Sequence, residues 1–139
     1  MGRFAVIVLD THALLWWASG DCEQLSQAAQ QAIEEEMQSK LGQIMVSAIS
    51  AWELAMLVAR ERVALAMDVE AWLTTVGQIE QVRFVPVDNT IAIKSTQLPG
   101  EFHKDPADRI IVATARQLSA PLVTADEKIR AYPHVRTVW

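Results

Sequence analysis

The chain contains a single cysteine, Cys22, among 139 residues. One thiol cannot form an internal disulfide, and no Cys or His companion stands near it at zinc-finger spacing. Long apolar runs are missing too, because Asp10 and His12 interrupt the run from Phe4 to Leu9 before it reaches membrane-spanning or signal-peptide length. These absences predict a soluble, cytoplasmic protein in a reducing compartment, without a membrane association.

Basic residues are also fewer than acidic ones. The chain has 12 Lys and Arg against 17 Asp and Glu, a net charge of −5. This balance argues against a nucleic-acid binder that works through a basic surface. Acids clustered around a metal would lower the formal charge without making such a face repulsive, because the cation supplies positive charge, so composition leaves this open. With 51% hydrophobic residues, we expect one compact domain over residues 1–139.

Apolar strand patterns alternate with amphipathic helix patterns along the chain. The predicted strands cover residues 4–9, 43–47, 82–87, 121–124 and 135–138. The predicted helices cover residues 11–18, 25–40, 48–60, 69–78, 89–97, 106–118 and 127–132. The first strand is continuously apolar, which is typical of a strand covered on both faces. Pro86 indicates either that the third strand lies at an edge or that Pro86 is among its last residues. The alternation predicts an α/β/α sandwich with a central, mostly parallel sheet.

Acidic residues stand near the strand ends. Asp10 closes the first strand, Asp126 follows the fourth, and Glu53 lies early in the helix after the second. Ligands bind outside the carboxyl ends of parallel strands, so these three acids share one edge of a parallel sheet. Simple βαβ logic puts Asp105 and Asp108 at the opposite end of the fourth strand, unless their helix runs the other way. Periodicity leaves that point open.

Most of these acids also have a structural explanation. Asp10 and Asp126 each fit the N-cap position of the helix that follows. Asp105 fits the same role, with Pro106 at the first helical position and Asp108 completing a capping box. The functional interpretation therefore depends on whether the acids converge on one point.

Glu53 is the acid that is hardest to explain structurally. It follows Ser50 at capping-box spacing, yet it also lies on the side of its helix that we expect to face the core. That predicted inner side consists of Ile49, Trp52, Met56 and Leu57. A carboxylate there needs a partner or a metal, because burying it unpaired is costly.

Several carboxylates at one site repel each other unless a divalent cation neutralises them. Hard oxygen ligands without a Cys or His cluster suit Mg²⁺ or Mn²⁺. Such a cation can activate water and can stabilise the charge that builds on a phosphate oxygen. The acids therefore point to phosphodiester hydrolysis.

Five stretches resemble the PIN domain family, specifically the VapC-type ribonuclease toxins of bacterial toxin–antitoxin pairs. They are VLDTHALLWW (Val8 to Trp17), VSAISAWELAML (Val46 to Leu57), HKDPADRIIVATA (His103 to Ala115), PLVTADEKI (Pro121 to Ile129) and VRTVW (Val135 to Trp139). The resemblance covers nearly the whole chain. It implies a PIN fold and a metal-dependent endoribonuclease, the toxin of a type II toxin–antitoxin module, with an RNA substrate, a cognate antitoxin and a homodimer.

The resemblance also implies the site. It makes Asp10, Glu53, Asp108 and Asp126 the catalytic acids and the ligands of Mg²⁺ or Mn²⁺, and it points the start of the helix bearing Asp108 into the same pocket. Asp105 is open between a helix cap and an additional metal ligand, because only one subgroup of the family has an acid there.

Other residues have more than one interpretation. Thr11 and Ser47 match small hydroxyl positions that bind a carboxylate or a water of the site. Arg109 is open between a phosphate contact, a neighbouring acid and a plain ion pair on the helix surface. His12 and His103 lie near the predicted pocket but lack metal-ligand spacing. Four tryptophans are open between base stacking and a core or interface role: Trp16, Trp17, Trp52 and Trp72.

Three other functions remain open from the sequence. One is a PIN-like RNA-processing nuclease that has no antitoxin. A second is a phosphatase with Asp10 as nucleophile, which would want an acid two residues later, where this chain has His12. A third is a non-enzymatic, receiver-like interaction domain; Lys128 follows Asp126 as such a domain requires, but the acidic pair near the first strand is missing.

Overall fold

The computed structural model describes residues 6–139, so the first two residues of the predicted strand at 4–9 lie outside the described residues. Within the described range the chain forms five strands, seven α-helices and a short 3-10 helix, Cys22–Gln24. The strands are β1 (Val6–Leu9), β2 (Gln43–Ser47), β3 (Val82–Val85), β4 (Leu122–Val123) and β5 (Thr137–Val138). The helices are α1 (Thr11–Ala18), α2 (Gln27–Met37), α3 (Ala48–Ala59), α4 (Val69–Gly77), α5 (Asn89–Thr96), α6 (Pro106–Gln117) and α7 (Glu127–Arg130).

The five strands form one parallel sheet in the order β3-β2-β1-β4-β5. In its centre, Ile7 of β1 aligns with Ile44 of β2, and Val8 aligns with Leu122 of β4. The third strand lies at an edge, one of the two positions that Pro86 indicated, and it ends at Val85, just before this proline. Together with helices on both faces of the sheet, this arrangement confirms the predicted α/β/α architecture.

Side chains of β1 alternate between two apolar clusters. Ile7 and Leu9 pack in the cluster with residues of α1, α2 and α4, whereas Val8 packs with residues of α5 and α6. All three side chains are completely buried. Burial on both faces explains why the sequence of this strand is continuously apolar. No helix within residues 6–139 has the length and apolar character needed to cross a membrane.

Helix α6 runs antiparallel to the strands. Its last turn leads into β4, while its first turn, with Asp105 and Asp108, lies beside Asp10 and Asp126 at the carboxyl edge of the sheet. The helix therefore runs the other way across the sheet, which is the alternative that periodicity left open, and Asp105 and Asp108 do not lie at the opposite end of the fourth strand. A helix that precedes a parallel strand must begin at that strand's carboxyl end in order to deliver the chain to its start.

The buried face of α3 differs from the predicted one. Ser50 and Leu54 are completely buried, whereas Trp52 is 56% exposed. Helix α3 is apolar along most of its length, so its hydrophobic periodicity does not single out one face. The prediction that Trp52 lies on the inner side is wrong, while Trp72 of α4 does belong to the core.

Candidate active site

A pocket of about 450 Å³ opens at the carboxyl edge of the sheet. Five acidic residues from four separate chain segments line it: Asp10, Glu53, Asp105, Asp108 and Asp126. The structure thus brings together every residue that was predicted for the metal site. His12 and Trp16 also line the pocket, with their ring centroids 5.5 Å apart.

Asp10 is positioned by the junction between β1 and α1. It is the N-cap of α1 and accepts a hydrogen bond of 2.8 Å from the backbone N–H of Ala13. Its second carboxylate oxygen accepts a hydrogen bond from the hydroxyl of Thr124. Burial raises the pKa of Asp10 above its usual value, and the nearby charge of Asp126 acts in the same direction, although both hydrogen bonds oppose the shift.

Glu53 is held by a chain of hydroxyl groups. Thr11 donates a hydrogen bond to the Glu53 carboxylate, and a 2.9 Å hydrogen bond joins the hydroxyls of Thr11 and Ser50. This contact matches the predicted role of Thr11. The capping-box interpretation of Ser50 and Glu53 is wrong, because Ser47 is the N-cap of α3 and accepts a hydrogen bond from Ile49. Ser50 instead lies inside the helix.

The pKa of Glu53 is raised above its usual value. Partial burial is the main cause, and the charges of Asp105 and Asp10 add to it, whereas the hydrogen bond from Thr11 lowers the pKa. Its carboxylate faces the pocket rather than the core. The unfavourable burial of this charge that the sequence indicated therefore comes from sharing a pocket with other acids.

Asp105 and Asp108 belong to the first turn of α6 and have different partners. Asp105 is the N-cap and accepts a 3.0 Å hydrogen bond from the backbone N–H of Asp108. The Asp108 carboxylate lies 3.1 Å from Nε2 of His103. Burial, followed by the charge of Asp105 and then those of the other pocket acids, raises the pKa of Asp108 to about 7.

Asp126 completes the pocket from the loop after β4. It is the N-cap of α7 and accepts hydrogen bonds from the backbone N–H groups of Lys128, at 2.8 Å, and Ile129, at 3.1 Å. Its own N–H donates to the hydroxyl of Thr124 at 3.0 Å. Thr124, which is completely buried, therefore connects Asp10 to the backbone of Asp126. Thr124 was not predicted as a site residue, although it closes the predicted fourth strand two residues before Asp126.

The acids share one pocket, but their side chains do not form a complete coordination site for a metal ion. Within residues 6–139, no group of three or more His, Cys, Asp or Glu side chains is placed to hold an ion as it stands. Each carboxylate is turned towards a partner of its own, such as Thr11, Thr124 or a backbone N–H. The donor set itself fits a hard divalent cation, since it consists of carboxylate oxygens whose mutual repulsion such a cation relieves.

Arg109 has a structural role that was not predicted. Its guanidinium donates hydrogen bonds to the carbonyl oxygens of Ser95 at 2.8 Å, Phe102 at 3.1 Å and His103 at 3.2 Å. These contacts tie the loop before α6 to the end of α5. Among residues 6–139 Arg109 forms no ion pair, because its donors are directed at backbone carbonyls.

A model of the PIN domain family matches residues 7–135. The chain belongs to the PIN domain family. This PIN domain is 42% identical to Ribonuclease VapC22 of Mycobacterium tuberculosis over 135 residues, which are 96% of this chain and 98% of that protein. The PIN fold implied by the sequence resemblance is thereby confirmed, and the structure places the start of α6 at the pocket, as the resemblance implied.

Solved structures support the fold of this PIN domain. It resembles VapBC2 from Rickettsia felis bound to a promoter DNA fragment, with a TM-score of 0.68 and 15% identity over 95% of this chain and 96% of that one. DNA-bound VapBC from Salmonella typhimurium gives a TM-score of 0.64 and 20% identity over 94% and 95%. VapC20 of Mycobacterium tuberculosis, described as a sarcin-ricin loop cleaving toxin, gives 0.59 and 15% over 94% and 98%.

Proposed function

We propose that this PIN domain is an endoribonuclease that depends on Mg²⁺ or Mn²⁺, and that residues 1–139 form a single nuclease domain. The observation that carries the proposal is the pocket in which Asp10, Glu53, Asp108 and Asp126 meet from four chain segments. The 42% identity to a protein named a ribonuclease supports the same activity. Membership of the PIN family sets aside the phosphatase and receiver-like alternatives.

The four acids are proposed to hold the metal and the attacking water. A bound divalent cation would supply positive charge to the phosphate oxygens and make water more acidic. The Asp10 carboxylate is fixed by the hydroxyl of Thr124, and the Asp126 carboxylate is fixed by backbone N–H groups of α7, so the ion would meet a preset pair of carboxylates. Glu53 or Asp108 would orient the water and take its proton as the water oxygen bonds to phosphorus. The bond from phosphorus to the leaving sugar oxygen then breaks, and that oxygen takes up a proton from solvent.

Replacing Asp10 with asparagine tests the proposal. Asparagine keeps the helix cap but removes the charge, so we expect cleavage of RNA with Mg²⁺ or Mn²⁺ to fall by about 100-fold or more. Asp68→Asn is the matched control, because Asp68 caps α4 through a 2.9 Å hydrogen bond from Ala71 and does not line the acidic pocket. Circular dichroism shows whether each variant is folded. Undiminished cleavage by a folded Asp10→Asn variant would contradict the assignment.

We propose further that the chain is the toxin of a type II toxin–antitoxin module and forms a homodimer. Several structures that it resembles are toxin–antitoxin complexes, which supports a cognate antitoxin. The test looks for a small protein encoded beside the gene and expresses the chain with and without it. That protein should restore growth and block RNA cleavage, and the Asp10→Asn variant should be harmless by itself. Cleavage that the neighbouring protein does not inhibit would favour the alternative, an RNA-processing nuclease without an antitoxin.

A further inference from the structure

A second cavity adjoins the acidic pocket. It has a volume of about 480 Å³ and shares Thr11, His12, Glu53 and Asp105 with that pocket. The part of this cavity that lies beyond the shared residues is the Trp52 groove, whose walls include Ile49, Trp52, Met56, Leu57, Arg60 and Arg62. A molecule lying in the Trp52 groove can therefore extend directly to the acids.

Trp52 is unusual among the tryptophans of the described chain. Trp72 is 6% exposed, and the remaining three pack against the core, whereas Trp52 is 56% exposed. It precedes Glu53 in α3, so its indole lies beside the acidic pocket rather than within it. An exposed aromatic face next to a phosphodiester site is a platform on which a base of any type can stack.

Two arginines of the Trp52 groove are free to contact an anion. The guanidinium groups of Arg83, Arg109 and Arg116 donate hydrogen bonds to backbone carbonyls. Arg60 and Arg62 are exposed, and their side chains form no hydrogen bond or ion pair with another residue of 6–139. In a chain with a net charge of −5, these cations lie where an RNA backbone approaching the acids needs compensating charge.

We propose that the Trp52 groove binds the nucleotide adjoining the scissile phosphate of single-stranded RNA. The base stacks on Trp52, and Arg60 and Arg62 contact the phosphates. This inference rests on the proposed ribonuclease function and adds a substrate subsite to it. Charge complementarity favours RNA over a second protein surface, and the open connection to the acids gives the bound strand a path to the site of cleavage.

The test measures binding of a fluorescent, nuclease-resistant probe, a random-sequence 2′-O-methyl RNA 12-mer, by anisotropy in Mg²⁺. We expect Trp52→Ala to raise the dissociation constant about tenfold or more, and Trp52→Phe to retain most of the affinity. The double variant Arg60→Ala/Arg62→Ala should reduce the slope of log K against log salt by about 0.7 for each lost phosphate contact. In cleavage of unmodified RNA, KM should rise while kcat stays close to the wild-type value.

Matched controls are available in the loop before β2. Leu41→Ala removes an apolar side chain that is 85% exposed, and Lys40→Ala removes an exposed cation at the opposite edge of the sheet. Both controls should bind the probe like the wild type. Circular dichroism checks folding. If Trp52→Ala does not fold, the arginine double variant keeps the test decisive, because an unchanged salt slope in that variant would by itself contradict the proposed phosphate contacts.

Three results would overturn the inference, and two of them are measured without cleavage. One is unchanged affinity in Trp52→Ala together with an unchanged salt slope in the arginine double variant. The other is conversion of a dimer into monomers by Trp52→Ala in analytical ultracentrifugation, without a change in RNA affinity, since a second copy of the chain would then occupy the groove. A wild-type protein that neither binds nor cleaves RNA refutes the proposed function itself, whereas cleavage with unchanged KM in the variants refutes the Trp52 groove alone.

Discussion

Replacing Asp108 with asparagine should stabilise the metal-free protein at alkaline pH while removing RNA cleavage. Burial and the surrounding carboxylates raise the pKa of Asp108 to about 7, from a usual 3.8. The folded state therefore favours the protonated carboxyl. The contribution of protonated Asp108 to the free energy of unfolding is fully present below the pKa that this residue has in the unfolded chain. It is lost as the pH rises through the pKa that Asp108 has in the folded protein. Asparagine stays neutral throughout.

The size of the effect follows from the difference between the two pKa values. Each unit corresponds to about 1.4 kcal/mol, so ionised Asp108 lowers the free energy of unfolding by up to about 4 kcal/mol above pH 7. The side chain is 20% exposed, and solvent screens part of the repulsion. We therefore expect Asp108→Asn to gain about 2 kcal/mol at pH 8 and under about 1 kcal/mol at pH 5.

Urea unfolding in EDTA, followed by circular dichroism at pH 5 and pH 8, measures both values. Asp88→Asn is the matched control, because Asp88 caps α5 through a 2.9 Å hydrogen bond from Ile91 and is not part of the acidic pocket. The control should show no gain that grows with pH. Equal stability of Asp108→Asn and the wild type at both pH values would refute the reasoning. Saturating Mg²⁺ should stabilise the wild type more than Asp108→Asn.

Variants at three other positions test individual contacts. His103→Ala should raise the Mg²⁺ concentration for half-maximal cleavage about tenfold, whereas His103→Gln, which keeps a donor nitrogen, should stay closer to the wild type. Thr124→Val removes the hydroxyl that holds Asp10, so urea unfolding should show a loss of about 1–3 kcal/mol, with Thr124→Ser nearly normal. Gly42→Ala brings a Cβ to 2.0 Å from the backbone oxygen of Glu36, and it should lower the free energy of unfolding by at least about 2 kcal/mol without changing Mg²⁺ dependence. Wild-type stability of Gly42→Ala would contradict the predicted steric conflict. Equal Mg²⁺ concentrations for half-maximal cleavage in His103→Ala and His103→Gln would contradict the predicted role of His103.

Much of the fold is determined by local patterns and was predictable from them. The apolar run of β1 reflects burial on both faces, and Asp68 and Asp88 cap the helices that they precede in the sequence. The predicted helix at 25–40 is shorter in the structure because Ser26 caps it, through a hydrogen bond from Ala29, and the helix ends at Met37. Such signals involve residues within a few positions of one another.

The contacts that could not be predicted from the sequence join residues that lie far apart in the chain. Ser50 is buried because it bonds to Thr11, 39 residues earlier, and no pattern within α3 indicates this. Thr124 contacts Asp10 across 114 residues, so its role depends on β4 lying beside β1. Arg109 likewise finds carbonyl partners in a loop and on α5. The convergence of the acids was implied by the family resemblance, since periodicity left open at which end of the sheet Asp105 and Asp108 lie.

Asp10, Asp105 and Asp126 cap helices and line the acidic pocket with the same side chains. These carboxylates are thus positioned as soon as the helices form, before an ion or RNA arrives. Because each of these side chains both caps a helix and lines the pocket, few substitutions at these positions preserve stability. Alanine at one of these positions removes a cap worth about 1 kcal/mol, whereas asparagine or serine preserves it. Descendants that lose nuclease activity should therefore carry Asn or Ser there, and they would persist as folded proteins that retain their binding surfaces.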